Sequence, residues 1–158
     1  MSSSLDIAVV IERLGLIPHP EGGYFRETFR SAQAVPTPRG KRSASTLIHF
    51  ALKAGTFSAW HRVESDETWH LYGGGPAELH LFDGEHRIIT LGTDLAAGEV
   101  PQAVVPAGVW QATAAGPTGS WFGCTVAPGF EFDDFQLASR ALVDAHPGHR
   151  AILERFIR

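Results

Sequence analysis

Hydrophobic and polar positions change period twice along the chain. Leu5, Ala8, Val9, Ile11 and Leu14 recur at helical spacing and predict an N-terminal helix. Ser3 or Ser4 is placed to cap its start, Gly15 sits where a C-terminal cap belongs, and Pro18 and Pro20 forbid continuation. From Tyr24 to Leu137 short apolar or alternating runs are separated by Gly and Pro. The predicted strands are Gly23–Phe29, Thr46–Leu52, Ser58–His61, Thr68–Tyr72, Ala77–Phe82, His86–Leu91, Gln102–Val105, Trp110–Thr113, Ser120–Val126 and Glu131–Leu137. Asp83-Gly84 marks a tight hairpin, whose turn needs positive φ. Ser31–Ser45, the longest polar stretch, reads as a mobile surface loop. The tail returns to helix: Ser139 caps Arg140–Ala145, and Pro147 opens a second helix reaching about Ile157. Many short strands at this spacing imply an all-β sandwich or barrel. Without a repeat or linker, residues 1–158 are expected to form a single domain.

Composition narrows the class. The chain has 158 residues, 44% of them hydrophobic, enough for one core. Thirteen Lys and Arg stand against 17 Asp and Glu, a formal net charge of −4, so no strong field attracts a polyanion. Arg39, Lys41 and Arg42 form the only basic cluster, in a Pro/Gly-rich stretch, and no nucleic-acid partner is expected. The single cysteine, Cys124, forbids an internal disulfide and suits a reducing compartment. The first residues lack a basic, then apolar leader, and no apolar run suits a membrane span. The expectation is a soluble cytoplasmic protein with no membrane partner.

Two stretches carry chemistry. Gly55, His61, Glu67 and Gly74 fall in register with the pattern G-x5-H-x-H-x3–4-E-x6-G, with Val63 at the second His. Pro106 and Gly108 match P-x-G-x2-H, with Gln111 at the His. These resemble the two cupin motifs. Leu16-Ile-Pro-His19-Pro20-Glu21-Gly22-Gly23-Tyr24-Phe25-Arg26-Glu27-Thr28, His61–His70, Pro106–Gln111 and Pro128–Phe135 are similar to the cupin-5 subfamily, whose activity is largely unassigned. The resemblance spans about residues 5–157. It implies a cupin jelly-roll β-barrel with an N-terminal helix and short C-terminal helices, a homodimer, and a fold relationship to dTDP-4-dehydrorhamnose 3,5-epimerases. In cupins this arrangement carries a metal at the barrel centre. Val63 and Gln111 are usual in the subfamily and depart only from the general pattern.

Alternation then suggests which side chains meet. Two antiparallel strands are expected to bring His61 and Glu67 together inside, with Gln111 delivered by the Pro-x-Gly turn. An inward carboxylate in an apolar interior is costly unless paired or functional. His61, Glu67 and Gln111 are candidate ligands for one divalent metal, although an amide is a poor transition-metal ligand; metal and no metal stand level, and no nucleotide cofactor is expected. His61, Glu67 and Tyr24 are candidate catalytic groups. Arg26, Glu27, His49, Trp69, Trp110 and Gln111 are candidate ligand-binding groups; Arg26 offers a bidentate clamp and the two tryptophans a wall. The facing of His49 stays open. His70 has opposite parity to Glu67 and is expected to face out unless a bulge intervenes. His80 reads as a strand residue of no special role, and His86, His146 and His149 as exposed. Cys124 reads as a buried structural thiol. Three activities fit: an isomerase or epimerase moving a proton next to a carbonyl of a sugar derivative or keto acid, a non-catalytic small-molecule-binding protein, and a metal-dependent oxygenase, which the missing imidazoles disfavour.

Overall fold

The computed structural model describes residues 5–158. Helix α1 (Ile7–Leu14) buries Ile7 and Val10. Its N-cap is Asp6, whose carboxylate accepts from the Ala8 N–H at 2.9 Å; Ser3 and Ser4 lie outside the described residues. Gly15, at φ 63°, closes it in the left-handed conformation expected of such a cap.

Thirteen strands follow among the described residues: β1 (Ile17–Pro18), β2 (Tyr24–Arg30), β3 (Ala34–Thr37), β4 (Gly40–Ser43), β5 (Thr46–Leu52), β6 (Phe57–Val63), β7 (Asp66–Gly74), β8 (Ala77–Phe82), β9 (His86–Leu91), β10 (Gln102–Val105), β11 (Trp110–Ala114), β12 (Ser120–Ala127) and β13 (Phe135–Leu137). They form a six-stranded sheet, β1-β2-β5-β12-β7-β10, and a five-stranded sheet, β13-β6-β11-β8-β9. The sheets are two separate ladders, not one hydrogen-bonded barrel, and all strand pairs in them are antiparallel. This is a jelly-roll sandwich rather than a closed cylinder. The inner faces share a core of Phe50, Trp69, Leu79, Leu81, Leu91 and Phe122.

Two predicted elements differ. Ser31–Ser45 is not a loop: β3 and β4 form their own hairpin, anchored by Arg42 and Arg39 on Asp134. Glu131–Leu137 is not one strand, because a 3₁₀ turn at Phe132–Asp134 precedes β13. The Asp83-Gly84 hairpin forms as expected, between β8 and β9.

The C-terminal helices α2 (Arg140–Ala145), capped by Ser139, and α3 (Arg150–Arg155) are joined by a 3₁₀ turn that begins at Pro147. They cover the outer face of the five-stranded sheet, where Val143, Leu153 and Phe156 pack on Trp60, Phe82 and Ala112. Helix α1 covers part of the other outer face, over Ala51, Tyr24 and Trp121. No helix among the described residues is long and apolar enough to cross a membrane.

Candidate functional site

Between the sheets lies a cavity of about 120 Å³. Its inner wall is built by strand register. On β11, Gln111 and Thr113 face in, while Trp110, Ala112 and Ala114 face out against the C-terminal helices. The partner β6 carries an extra residue: Gln111 pairs with His61, yet Thr113 pairs with Ser58. This bulge lets both Ser58 and His61 face in while Trp60 faces out. It also turns the Ala59 carbonyl onto the His61 ring, 2.7 Å from Nδ1.

His61 and Glu67 do not sit on neighbouring strands. Strands β6 and β7 belong to different sheets, so the two residues face each other across the sandwich. The partner of His61 is a residue the sequence pattern did not single out. Glu21 Oε2 lies 2.8 Å from His61 Nε2. Glu21 comes from the tight turn His19–Gly23, whose ends are tied by His19 N–H donating to the Gly23 carbonyl and Gly22 N–H to the His19 carbonyl. Gly22 and Gly23, at φ 102° and 77°, are essential to that turn: a Cβ on Gly22 would lie 2.6 Å from the Phe57 carbonyl oxygen, and one on Gly23 2.7 Å from the Phe50 ring. The Glu21 carbonyl in turn accepts from the Ala59 N–H in the bulge at 2.7 Å, so turn and bulge lock together.

The proton inventory follows from these contacts. A carbonyl only accepts, so His61 Nδ1 carries a proton. Burial opposes charge on the ring, but the Glu21 carboxylate outweighs it and holds His61 above its ordinary value. Burial likewise pushes Glu21 up, and the His61 cation overrides it and keeps its carboxyl low. The pair is an imidazolium–carboxylate. Across the cavity Glu67 is the reverse case. Burial, with the Glu21 charge adding and His61 and the Gln111 amide opposing, pushes its carboxyl up to about 7. Its orientation is set by a relay: Trp69 Nε1–H donates to Gln111 Oε1 at 2.8 Å, which aims the Gln111 NH₂ at Glu67 Oε1, also 2.8 Å. An indole can only donate, so the amide orientation is fixed. Glu67 Oε2 is left for the cavity.

His19 also lines the cavity, inside a collar of Phe25, Phe135, Phe132 and Phe50 rings. Its Nδ1 accepts from the Glu21 N–H at 3.1 Å, so its proton is on Nε2. The 3.9 Å approach of Nδ1 to Glu21 Oε2 is therefore no ion pair. Burial keeps this imidazole below its ordinary value and neutral. At the mouth, Arg30 holds Glu27 at 2.7 Å and Glu131 at 2.9 Å. A bulge at Thr28 makes this possible: it shifts the β2–β5 register so that Arg30 faces in and Phe29 faces out.

Of the residues expected here, His61, Glu67, Gln111, Trp69 and Glu27 converge as anticipated. Gln111 stands behind Glu67 rather than in the lining, and four others lie on outer faces. Tyr24 and Arg26 have opposite parity to Phe25 and Glu27 and lie on the outer face of β2. Tyr24 packs beside α1 under Lys53, and Arg26 donates to the Leu14 carbonyl at 3.2 Å. His49 pairs with Arg26 on the same outer face and accepts from Trp121 Nε1–H at 3.1 Å. Trp110 stacks outside under the Arg62 guanidinium, 4.6 Å from its ring centre. His70 faces out as expected, beside Thr125. His80 is a strand residue, as expected; it is fully buried and bridges His86 at 2.9 Å and Glu78 at 3.1 Å. His86, His146 and His149 are half-buried rather than exposed, the last two against Phe82. Cys124 is buried, as expected, and burial pushes its thiol well up.

The residues present do not fit a metal. Both His61 nitrogens are engaged and the Gln111 oxygen is taken by Trp69. Val63 lines the cavity where a further imidazole is required. Among the described residues no group of three or more His, Cys, Asp or Glu is arranged to hold one.

Comparison with known proteins agrees with this architecture. The family model described as Cupin superfamily (DUF985) matches residues 8–138. The uncharacterized protein YML079W of Saccharomyces cerevisiae is 33% identical over 137 residues, covering 75% of this chain and 68% of its own. A hypothetical protein from Leishmania major superimposes with a TM-score of 0.90 at 32% identity, covering 95% of this chain and 97% of its own. Protein SO0799 from Shewanella oneidensis does so with a TM-score of 0.88 at 36% identity, over 99% of both chains.

Proposed function

The chain belongs to the DUF985 family of the cupin superfamily, and from that premise we propose that its cavity performs acid–base isomerisation or epimerisation of a small carbonyl compound. The observation that supports this reading is Glu67. A carboxyl held near 7 is close to half ionised at neutral pH, so it can both take and return a proton. Its environment opposes that of Glu21 across one cavity, the arrangement by which acid and base roles are divided between like side chains.

In this reading the Glu67 carboxylate removes a proton from the carbon next to the carbonyl. The C–H electron pair passes into the enolate, whose negative charge falls on oxygen. The neutral His19 Nε2–H donates a hydrogen bond to that oxygen, and the fixed His61 cation stabilises the charge through space. Return of the proton from Glu67 to the former carbonyl carbon, as the hydroxyl proton on the deprotonated carbon passes to the former carbonyl oxygen, completes isomerisation; epimerisation follows when the enolate turns over in the cavity and takes the Glu67 proton on its other face. His61 is not the base, because its Nε2 is committed to Glu21. Phe25, Phe130, Phe132 and Phe135 wall the cavity and limit water.

The test is exchange in D₂O. Small ketones and aldoses are incubated with the protein, and loss of the proton next to the carbonyl is followed by NMR. Exchange is expected, and Glu67→Gln is expected to slow it by about 10²–10⁴-fold. Undiminished exchange in that variant removes Glu67 from the role. A compound that binds and is recovered without exchange makes the protein a binding module instead.

A further inference from the structure

The cavity lining is unbalanced in charge. Four carboxyl-bearing side chains face it, Glu21, Glu27, Glu67 and Glu131, against two groups able to be cations there, Arg30 and His61. Both are engaged by partners within the chain. Arg30 gives Nε to Glu27, Nη1 to Glu131, and Nη2 to the Phe130 carbonyl and to Glu27, at 2.7, 2.9, 2.9 and 3.3 Å. His61 gives Nδ1 to the Ala59 carbonyl and Nε2 to Glu21. No lysine lines the cavity. What remains is a single Arg30 Nη1–H, too little for a bidentate clamp, two neutral donors, the Thr46 hydroxyl and His19 Nε2–H, and an excess of carboxyl oxygens.

A carboxylate or phosphate is bound by unspent, preferably bidentate, cationic donors. Here it would meet like charge inside a region of reduced dielectric. An uncharged molecule incurs no such cost, and an ammonium gains. We propose that the cavity selects its ligand by charge: it takes an uncharged or amine-bearing oxygenated molecule, with an acceptor oxygen toward His19, and rejects carboxylates and phosphates, with Glu27 and Glu131 as the specificity-determining residues. This rests on the cavity being the ligand site, as in the function proposed above, and it narrows that function to neutral or amino sugars and simple ketones, away from keto acids and sugar phosphates.

Cys124 supplies an internal reporter, because it is the only cysteine and it lines the cavity. The purified protein is treated with three methanethiosulfonates that share a two-carbon arm: the 2-hydroxyethyl reagent, uncharged; the 2-aminoethyl reagent, cationic; and the 2-sulfonatoethyl reagent, anionic. In each the thiolate attacks sulfur, a mixed disulfide forms and methanesulfinate leaves, so mass spectrometry gives the rate. Each rate is divided by that of the same reagent with 2-mercaptoethanol, which cancels intrinsic reactivity. The slow ionisation of Cys124 is common to all three.

The neutral and cationic reagents are expected to exceed the anionic one by roughly tenfold or more after this correction. Replacing both mouth carboxylates, Glu27→Gln with Glu131→Gln, is expected to release Arg30 and close most of that gap. An anionic reagent that keeps pace in the native protein overturns the charge selectivity while leaving the cavity as a ligand site. If neither these reagents nor methylmercury chloride, which displaces the thiol proton on binding and needs no preformed thiolate, modifies Cys124 in the folded protein, the cavity is closed to small molecules, and the proposed function falls with the selectivity.

Discussion

Glu21 and Glu67 are the same side chain on either side of one histidine, and burial drives both toward the protonated form. Only Glu21 touches the His61 cation, so only Glu21 stays ionised. The two therefore respond to pH with opposite sign. The folded-state value of Glu67, about 7, lies above its ordinary 4.5. Its contribution to stability is fully present below 4.5 and is lost as pH rises through 7, a change of about 3 kcal/mol. Glu67→Gln keeps an acceptor for Gln111 and cannot ionise. Its stability relative to the native protein is thus expected to improve from pH 5 to pH 8, read from urea denaturation at each pH. A difference that does not move with pH contradicts a buried, proton-rich Glu67. Glu21→Gln works the other way, because it strands a buried cation. A loss of about 3–5 kcal/mol is expected. The His61 ring, left to burial with only the Glu67 charge and the Ala59 carbonyl opposing it, is expected to titrate lower than in the native protein in an NMR titration. A titration that does not move would show that Glu21 is not its partner.

At the scale of elements, the β3–β4 hairpin holds up one wall of the cavity. Arg42 grips Asp134 with two hydrogen bonds of 2.8 and 2.9 Å, and Arg39 approaches it at 3.1 Å. Asp134 ends the 3₁₀ turn whose neighbours Phe130, Phe132 and Phe135 form the aromatic wall. Asp134→Ala is expected to speed amide exchange about tenfold or more across residues 34–43 and 130–135 while leaving β8 and β9 unchanged. Uniform acceleration would mean that the contact supports only global stability. The Arg42 hydrogen bond holds the Asp134 carboxyl below its ordinary value, so the stability this tether adds is fully present above the ordinary value and is lost as pH falls through the lowered one. The hairpin also marks where sequence reading ran out. Pro36, Pro38 and Gly40 read as loop chemistry, and what orders the segment is a partner 92 residues away. The eight strands from Thr46 to Val126 were legible because apolar alternation and turn residues are local signals. So was the convergence of His61, Glu67 and Gln111, carried by the motif spacing. Glu21 was not, because it sits in a Pro-Glu-Gly-Gly turn, where strand parity says nothing about facing. Tyr24 and Arg26 failed for the complementary reason: their parity was readable only once Phe25 and Glu27 were known to face in.

On the scale of the molecule, the two chain ends close the fold from outside. Helix α1 covers one sheet and α2 with α3 cover the other, so the cavity lies between sheets that are each backed by helix. The C-terminal cover is also wired to the site. Trp60 N–H donates to the Phe156 carbonyl at 2.9 Å, Ala138 N–H donates to the Trp60 carbonyl at 2.9 Å, and Trp60 Nε1–H reaches the Ile152 carbonyl at 3.4 Å. Trp60 is the outward residue of the bulge that turns His61 inward and offers the Ala59 carbonyl to its ring. The packing of the tail and the charge state of the site thus share one short segment of β6. Phe156→Ala removes a ring that is 2% exposed and packs on Trp60, Phe57 and His80, and a loss of about 3–5 kcal/mol is expected. If the cover only adds buried area, stability drops and the His61 titration stays where it was. If it holds the bulge, the loosened Ala59 carbonyl and Glu21 contact let the His61 value fall toward that of an ordinary imidazole in the still-folded protein. The wiring through Trp60 favours the second result. Chemical denaturation and an NMR titration of the same variant separate the two, since stability moves in both cases and the histidine in only one.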